Sequence, residues 1–155
     1  MSKPLDVLVS TPPSRVQVYQ ELSRDFAAIE PPVWSGLIAT FLRQHSCSVA
    51  ILDAEAEGLN HQQTADRIAA IAPRLAVFVI YGQQPSASTQ CMPAGRKVCE
   101  ILTTLADIPT LVMGTHPSAL PKRTLLEEPY TYVCQGEGPA TILGLVIALR
   151  APQHS

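Results

Sequence analysis

Apolar and polar positions alternate along the chain in blocks that predict five short strands separated by helices. The apolar runs cover residues 6–10, 48–53, 75–81, 109–114 and 131–134. The third run carries no charged or amide side chain along its length. An uninterrupted apolar run is typical of a strand that is buried on both faces of a parallel sheet. The pattern therefore favours central strands with helices above and below them.

Between the apolar runs the spacing becomes helical. Apolar residues recur at intervals of three and four over 34–43, which predicts a helix there. Asn60 is expected to cap a second helix that Pro73 ends. A long loop is expected at 82–93, then a third helix ending near residue 105. A short helical stretch is expected around residue 125, and a last helix from Pro139 to about residue 149. We expect a polar, partly helical connection at 14–32. We expect a loop at 115–121.

Strand–helix alternation predicts an α/β fold, a doubly wound five-stranded parallel sheet with helices on both faces. Ligands of such sheets bind beyond the carboxyl ends of the strands. Four turns at those ends are rich in Gly, Pro, Ser and Thr: 11–14, 82–90, 114–118 and 136–138. Every α/β protein has Gly and Pro in such turns. Here several turns at one edge share a small and mostly uncharged character, so we expect a ligand pocket.

Composition and charge narrow the function classes. Charged residues make up 15% of the chain, against about 25% in typical globular domains. The net charge is -2, which favours neither nucleic acid nor an anionic membrane as a partner. No apolar run approaches the roughly 18 residues of a bilayer span, and no signal peptide follows Met1, so a cytoplasmic location is expected. The four cysteines lack zinc or iron–sulfur spacing and are expected to be reduced thiols.

Three groups of residues in these turns carry a resemblance to a known family. They are Pro85-Ser-Ala-Ser-Thr-Gln90 with Met92, Gly114-Thr-His-Pro-Ser-Ala-Leu-Pro121, and Gly136-Glu-Gly138 with Thr141 and Ile142, and Asp53-Ala-Glu-Ala56 is similar as well. Together they resemble the amino-terminal cobalamin (vitamin B12)-binding domain of cobalamin-dependent radical S-adenosylmethionine (SAM) enzymes. The resemblance extends from residue 6 to about 149. It implies a flavodoxin- or Rossmann-like cobalamin-binding domain at 1–150, with a tail or the start of a linker at 151–155.

In that family the corrin lies over the sheet edge and the nucleotide tail enters the domain. The residues that the resemblance places against the cofactor are Thr11, Pro12, Ser14, Gly82, Ser86, Ser88, Thr89, Gln90, Gly114, His116, Pro117, Ser118, Gly136, Glu137 and Gly138. Residues 86–90 would line the tail and the corrin side chains, 114–118 would meet the cofactor from the next strand, and 136–138 would close the pocket. Plainer interpretations remain: His116 as a solvent-exposed loop residue, and Glu137 as a carboxylate near the amino end of the last helix.

The sequence departs from other cobalamin domains in one respect. Many of them carry Asp-x-His-x-x-Gly after the first strand, whose histidine ligates cobalt, whereas this chain has Thr11-Pro-Pro-Ser-Arg15. The radical enzymes that it resembles commonly lack the histidine too. The resemblance therefore implies base-off cobalamin with no histidine below the cobalt and no metal ligand from this chain. A weakly ligated lower face would favour the cobalt(I) state and transfer of its methyl group.

The chain also lacks the Cys-x-x-x-Cys-x-x-Cys motif of radical SAM chemistry. We therefore expect no catalytic residue here, and we expect SAM and the iron–sulfur cluster in a radical SAM domain in cis or in trans. The chain would be a fragment of a longer enzyme or a free-standing cofactor subunit. The implied reaction is methyl transfer, as in a methyltransferase, or ring formation, as in a cyclase.

The same residues leave other functions open. A stand-alone flavodoxin-like module binding flavin or a nucleotide is one alternative, although no Gly-x-Gly-x-x-Gly follows the first strand. A phospho-receiver would need an acidic cluster after strand one and a lysine on strand five, and the chain has neither. A non-catalytic interaction domain is the remaining alternative. Trp34 would pack under the first helix or shield the corrin, and packing is the favoured expectation.

Overall fold

The computed structural model describes residues 3–13, 33–81, 85–136 and 138–152, with the backbone alone at 85–87. Strands and helices alternate along these residues as the sequence predicts. The elements are β1 (Val7–Thr11), α1 (Val33–Gln44), β2 (Val49–Asp53), α2 (His61–Ile71), β3 (Leu75–Ile80), α3 (Pro85–Leu105), β4 (Thr110–Gly114), α4 (Thr115–Ala119), α5 (Pro121–Glu127), β5 (Tyr132–Val133) and α6 (Pro139–Arg150). The segment 14–32, expected to be partly helical, lies outside the described residues.

The strands form one parallel sheet in the order β2-β1-β3-β4-β5. The chain leaves β1 towards β2 and then returns past β1 to β3, so the direction of winding reverses between β1 and β3. In open α/β sheets this reversal opens a crevice at the carboxyl ends of the strands, where ligands bind. The predicted doubly wound, five-stranded parallel sheet is confirmed.

Helices cover both faces of the sheet, and side chains of β3 point alternately to each. Val77 belongs to a core shared with Ile38 of α1 and Ile142 of α6. Phe78 belongs to the opposite core, with Leu102 of α3. This alternation follows from the two-residue period of a strand. We call the two sides the α1 face and the α3 face. All of β3 is buried, as its uninterrupted apolar sequence predicts.

Asn60 caps α2 as predicted. Its side-chain oxygen accepts a hydrogen bond from the backbone N–H of Gln63 at 2.7 Å, and the Gln63 side chain accepts one from the N–H of Asn60 at 3.0 Å. This reciprocal pair is a capping box, which satisfies two backbone donors that the first turn leaves unpaired. At the other end Ala72 adopts a left-handed conformation, with φ 50°, and Pro73 cannot continue the helix.

Two predicted loops are wrong. The loop expected at 82–93 gives way to α3 from Pro85 onward, and the loop at 115–121 contains α4 and the start of α5. Proline tolerates the first turn of a helix because its missing N–H would have no partner there. Pro85 and Pro121 both occupy such positions, so these prolines begin helices. The consequence is that predicted cofactor residues lie on first helical turns.

Asp6 joins the last helix to the amino end of β1. The guanidinium of Arg150 donates to both carboxylate oxygens, and the N–H of Ser48 donates to one of them at 2.9 Å. Hydrogen bonding to Arg150 is the main cause that lowers the pKa of Asp6 from 3.8 to about 2, against the opposing effect of burial. This cluster lies at the edge opposite the carboxyl ends of the strands, so its contribution is to stability.

Candidate functional site

The carboxyl edge of the sheet gathers most of the residues that the sequence singles out. β1 ends at Thr11, β4 ends at Gly114, and α3, α4 and α6 begin there. The predicted residues that the structure places on these turns are Thr11, Pro12, Ser88, Thr89, Gln90, Gly114, His116, Pro117, Ser118, Gly136 and Gly138. Ser14, Gly82 and Glu137 lie outside the described residues, as does the side chain of Ser86.

Ser88 joins the end of β3 to the start of α4. Its hydroxyl donates to the carbonyl oxygen of Ile80 at 2.6 Å and accepts from the backbone N–H of His116 at 3.0 Å. The Ser88 side chain is fully buried. Because a buried polar group without a partner is costly, this double hydrogen bond stabilises the junction. It spans 28 residues of sequence and so fixes the first turns of α3 and α4 relative to each other.

Gly114 lies in the same junction and has no room for a side chain. Its φ of +149° belongs to a region that residues with a Cβ rarely adopt, and an added Cβ would lie 2.0 Å from the carbonyl oxygen of Ile80 and 3.3 Å from Ser88 Oγ. Glycine here allows the turn after β4 to approach the backbone of β3. Backbone atoms therefore set the distance between the ends of β3 and β4 at this junction.

His116 is held at its ring as well as at its backbone. Its Nδ1 lies 2.9 Å from the hydroxyl oxygen of Thr89, so the two share a hydrogen bond whose direction depends on the tautomer. His116 is half-buried, Thr89 and Gln90 are exposed, and Pro117 is buried. The ring is thus oriented at the rim by a neighbour from another helix, which no spacing in the sequence indicates.

Two glycines before α6 serve different purposes. Gly136 has φ +100°, its N–H donates to Ser118 Oγ at 3.0 Å, and an added Cβ would meet no atom of the described residues within 4 Å. Gly138 has φ +95°, and a Cβ there would lie 2.7 Å from the Met113 side chain. Gly138 therefore lets the start of α6 pack on β4, whereas none of the described residues fills the position that a side chain at Gly136 would take.

An aromatic pair occupies the α1 side of the same edge. Trp34, in the first turn of α1, stacks on Tyr81, with ring centroids 4.8 Å apart and planes 19° from parallel. Trp34 remains 43% exposed, contrary to the favoured expectation that it packs under the helix. In the same turn of α1, the hydroxyl of Ser35 lies 3.3 Å from that of Thr11 at the end of β1, and the two share a hydrogen bond. Sequence reasoning missed Tyr81 because it reads as the last residue of an apolar strand.

The described residues offer no reactive thiol at this edge. All four cysteines are free of disulfides and buried. Burial is the main cause that raises the pKa of Cys134, and it raises that of Cys99 to about 11. A buried thiol of this kind is inert, because only the thiolate is a good nucleophile. Among the same residues, no three His, Cys, Asp or Glu side chains gather as metal ligands, and no helix has the length and apolar character of a bilayer span.

Comparison with known families decides the identity of the fold. The family model of the B12-binding domain matches residues 22–146. The chain belongs to the B12-binding domain family. This membership does not favour the flavin, nucleotide or interaction-domain alternatives. No curated protein matches the sequence.

Solved structures resemble this B12-binding domain in fold. The radical SAM methyltransferase TsrM from Kitasatospora setae, with cobalamin and a [4Fe-4S] cluster bound, matches with a TM-score of 0.71 at 15% identity, over 95% of this chain and 25% of TsrM. TsrM with tryptophan and a SAM analogue bound gives a TM-score of 0.69 at 16% sequence identity, over 92% of this chain and 25% of TsrM. The apo form of the cobalamin-dependent SAM radical enzyme OxsB gives a TM-score of 0.63 at 16% sequence identity, over 96% of this chain and 19% of OxsB. The domain thus spans a quarter or less of these proteins.

The edge of the B12-binding domain has the character that a corrinoid requires. A corrin ring brings its own four equatorial nitrogens to cobalt, so the protein needs to supply surface and hydrogen bonds and no metal cluster. The rim supplies hydroxyls at Thr11, Thr89 and Ser118. At Gly136 it also lacks a side chain, at a position that no other described residue fills. Cofactor pockets combine a few such polar groups with apolar walls. The residues at this rim therefore fit a corrinoid.

Proposed function

We propose that this domain holds cobalamin base-off at the carboxyl edge of its sheet and presents it to a radical SAM catalytic module. The family match over residues 22–146 carries the cofactor assignment. The turn after β1 supports a lower face without a histidine ligand, because Thr11-Pro-Pro-Ser-Arg15 contains no histidine. The base-off state itself is proposed from the resemblance to cobalamin-dependent radical SAM enzymes. Bound cobalamin supplies a cobalt-centred methyl carrier.

The chain's own residues would then bind and orient the cofactor from three turns. Gly114 and Ser88 hold the β3–β4 junction narrow, which supports a firm floor for the corrin. The Gly136 backbone, tied to Ser118, leaves room for corrin side chains at the β5 end. His116 would contact the cofactor through a ring that Thr89 holds, without ligating cobalt. The other residues that the sequence predicts as cofactor contacts are proposed to contact it as well: Thr11, Pro12, Ser14, Gly82, Ser86, Gln90, Pro117, Glu137 and Gly138.

The catalytic chemistry would lie outside this chain. The four cysteines at positions 47, 91, 99 and 134 cannot form a three-cysteine cluster motif. TsrM and OxsB, which share the fold, are radical SAM enzymes that are much longer than this chain. We infer a radical SAM module in the same or a partner chain, which carries SAM and the iron–sulfur cluster. The proposed setting is a cytoplasmic methyltransferase or cyclase.

Electron paramagnetic resonance of the domain loaded with cob(II)alamin tests the base-off state. A nitrogen below the cobalt splits each cobalt line into a triplet, whereas a lower face without nitrogen leaves the lines unsplit. We expect unsplit lines. Uniform ¹⁵N labelling of the protein distinguishes the contrary outcomes: a triplet that survives labelling means base-on cobalamin. A triplet that becomes a doublet, and disappears in His116→Ala, means histidine ligation.

A further inference from the structure

The exposed indole of Trp34 is fixed in place before any ligand arrives. Tyr81 stacks behind it at 4.8 Å, and Tyr81 itself packs against the core of the α1 face. A side chain that is already held in one orientation loses little conformational entropy when a ligand covers it. The exposed part of the indole is therefore a preformed aromatic surface at the carboxyl edge.

The position of this pair in the fold points to a ligand inside the crevice. Tyr81 directly follows β3, and the first turn of α1 is tied to the end of β1 by the Thr11–Ser35 hydrogen bond. β1 and β3 are the neighbouring strands between which the winding reverses. Ligands of such sheets enter at this reversal. The aromatic pair thus flanks the entrance that the topology itself creates.

The chemistry of the pair selects one part of cobalamin. Indole and phenol rings stack well on flat heteroaromatic bases. The corrin ring carries methyl and amide substituents on both faces, which keep a flat side chain away from its π system. The dimethylbenzimidazole of the nucleotide tail has two bare faces, and it needs a new environment once it leaves the cobalt. Ser35 follows Trp34 in the first turn of α1, and its buried hydroxyl shares a hydrogen bond with the hydroxyl of Thr11. Thr11 is only half-buried at the end of β1, so its hydroxyl is available to the ribose or phosphate of the same tail.

We propose that Trp34, backed by Tyr81, stacks on the dimethylbenzimidazole base of the tail and selects cobalamin over tail-less corrinoids. This inference rests on the proposed function, since it places one part of the cofactor in the same site. It assigns a specificity role to two residues outside the turns that carry the family resemblance. It also explains why the only tryptophan of the chain stays partly exposed on a ligand-binding edge.

Dissociation constants for cobalamin and for cobinamide, which lacks the nucleotide tail, test the proposal. Both are measured by equilibrium dialysis with corrinoid absorbance on the wild type, Trp34→Ala, Trp34→Phe and Tyr81→Leu. We expect Trp34→Ala to weaken cobalamin binding roughly tenfold and to leave cobinamide binding nearly unchanged. Trp34→Phe keeps an aromatic face and is expected to recover most of the loss. Leu37→Ala is the matched control, because Leu37 is 57% exposed on the same helix and takes no part in the stack.

The outcomes separate this inference from the function on which it rests. Equal weakening of cobalamin and cobinamide by Trp34→Ala would mean that the indole supports the corrin, which overturns the proposal. Unchanged affinity for both corrinoids in Trp34→Ala and Tyr81→Leu overturns it as well, and in either case the cobalamin function stands. If the wild type binds neither corrinoid, the proposed function itself fails. Far-ultraviolet circular dichroism of each variant confirms that the fold is intact.

Discussion

Replacing Gly114 by alanine tests the tight junction between β3 and β4. Its backbone, with φ 149° and ψ -177°, lies in a region that is essentially restricted to glycine, where strain costs about 1–3 kcal/mol. The new Cβ would also lie 2.0 Å from the carbonyl oxygen of Ile80. Ile80 and Gly114 are paired in the sheet register, so that oxygen cannot move away without disturbing the ladder. We therefore expect a loss of stability larger than strain alone produces, about 3 kcal/mol or more.

Two other glycines provide matched controls. Gly136 also has a positive φ, but an added Cβ there would meet none of the described parts of the chain within 4 Å. Gly136→Ala therefore isolates the backbone strain at about 1–3 kcal/mol. Gly144 lies within α6, and among the residues that the structure describes a Cβ there would likewise have no neighbour within 4 Å. Gly144→Ala is therefore expected to stabilise the domain by about 0.5–1 kcal/mol, because alanine is the better helix former.

Urea and thermal unfolding followed by circular dichroism measure all three variants. One kcal/mol corresponds to a melting shift of roughly 2–4 °C for a domain of this size. Gly114→Ala is thus expected to lower the melting temperature by roughly 6–12 °C. If Gly114→Ala is no more destabilising than Gly136→Ala, the junction relaxes freely, and the reasoning about a rigid gap is wrong.

Three further results are expected. Because pairing with Arg150 lowers the pKa of Asp6 from 3.8 to about 2, this carboxylate stabilises the fold above pH 3.8, and the contribution is lost as the pH falls towards 2. Asp6→Asn should cost about 2 kcal/mol near neutral pH, and its unfolding free energy should converge on that of the wild type at low pH; curves that stay parallel contradict this. Ser88→Ala should cost about 1–3 kcal/mol in urea unfolding, more than Ser118→Ala at its exposed hydrogen bond, and equal effects would count against a buried junction. A thiol reagent should label no cysteine rapidly in the native domain and all four in denaturant, whereas fast native labelling would refute their burial.

The sequence predicts the sheet closely and the start of α3 poorly. Central strands are covered on both faces, so their apolar runs end where the strands end, within about one residue. β5 is shorter than predicted, at two residues. The helix signal in α3 is masked by Pro85 and Pro93, which are strong loop markers in sequence. The buried side chains of Met92 and Val98 show that packing outweighs those markers.

The sequence also predicts which turns share an edge, because parallel strands bring their carboxyl ends together. It cannot predict which side chains pair across those turns. Thr89 and His116 are 27 residues apart, and their hydrogen bond depends on how α3 and α4 sit on the sheet. The stack of Trp34 on Tyr81 depends likewise on the position of α1 over β3. Such contacts follow from three-dimensional packing and leave no periodic signal along the chain.

The central claim is that the carboxyl edge of this domain holds a corrinoid. The most direct test mixes the purified domain with an equivalent of methylcobalamin, removes unbound ligand by gel filtration, and records the visible spectrum of the protein fraction. The account predicts a stoichiometric coloured complex whose spectrum has changed from the red of base-on to the yellow of base-off methylcobalamin. A colourless protein fraction would contradict cofactor binding, and a red complex would contradict the base-off state.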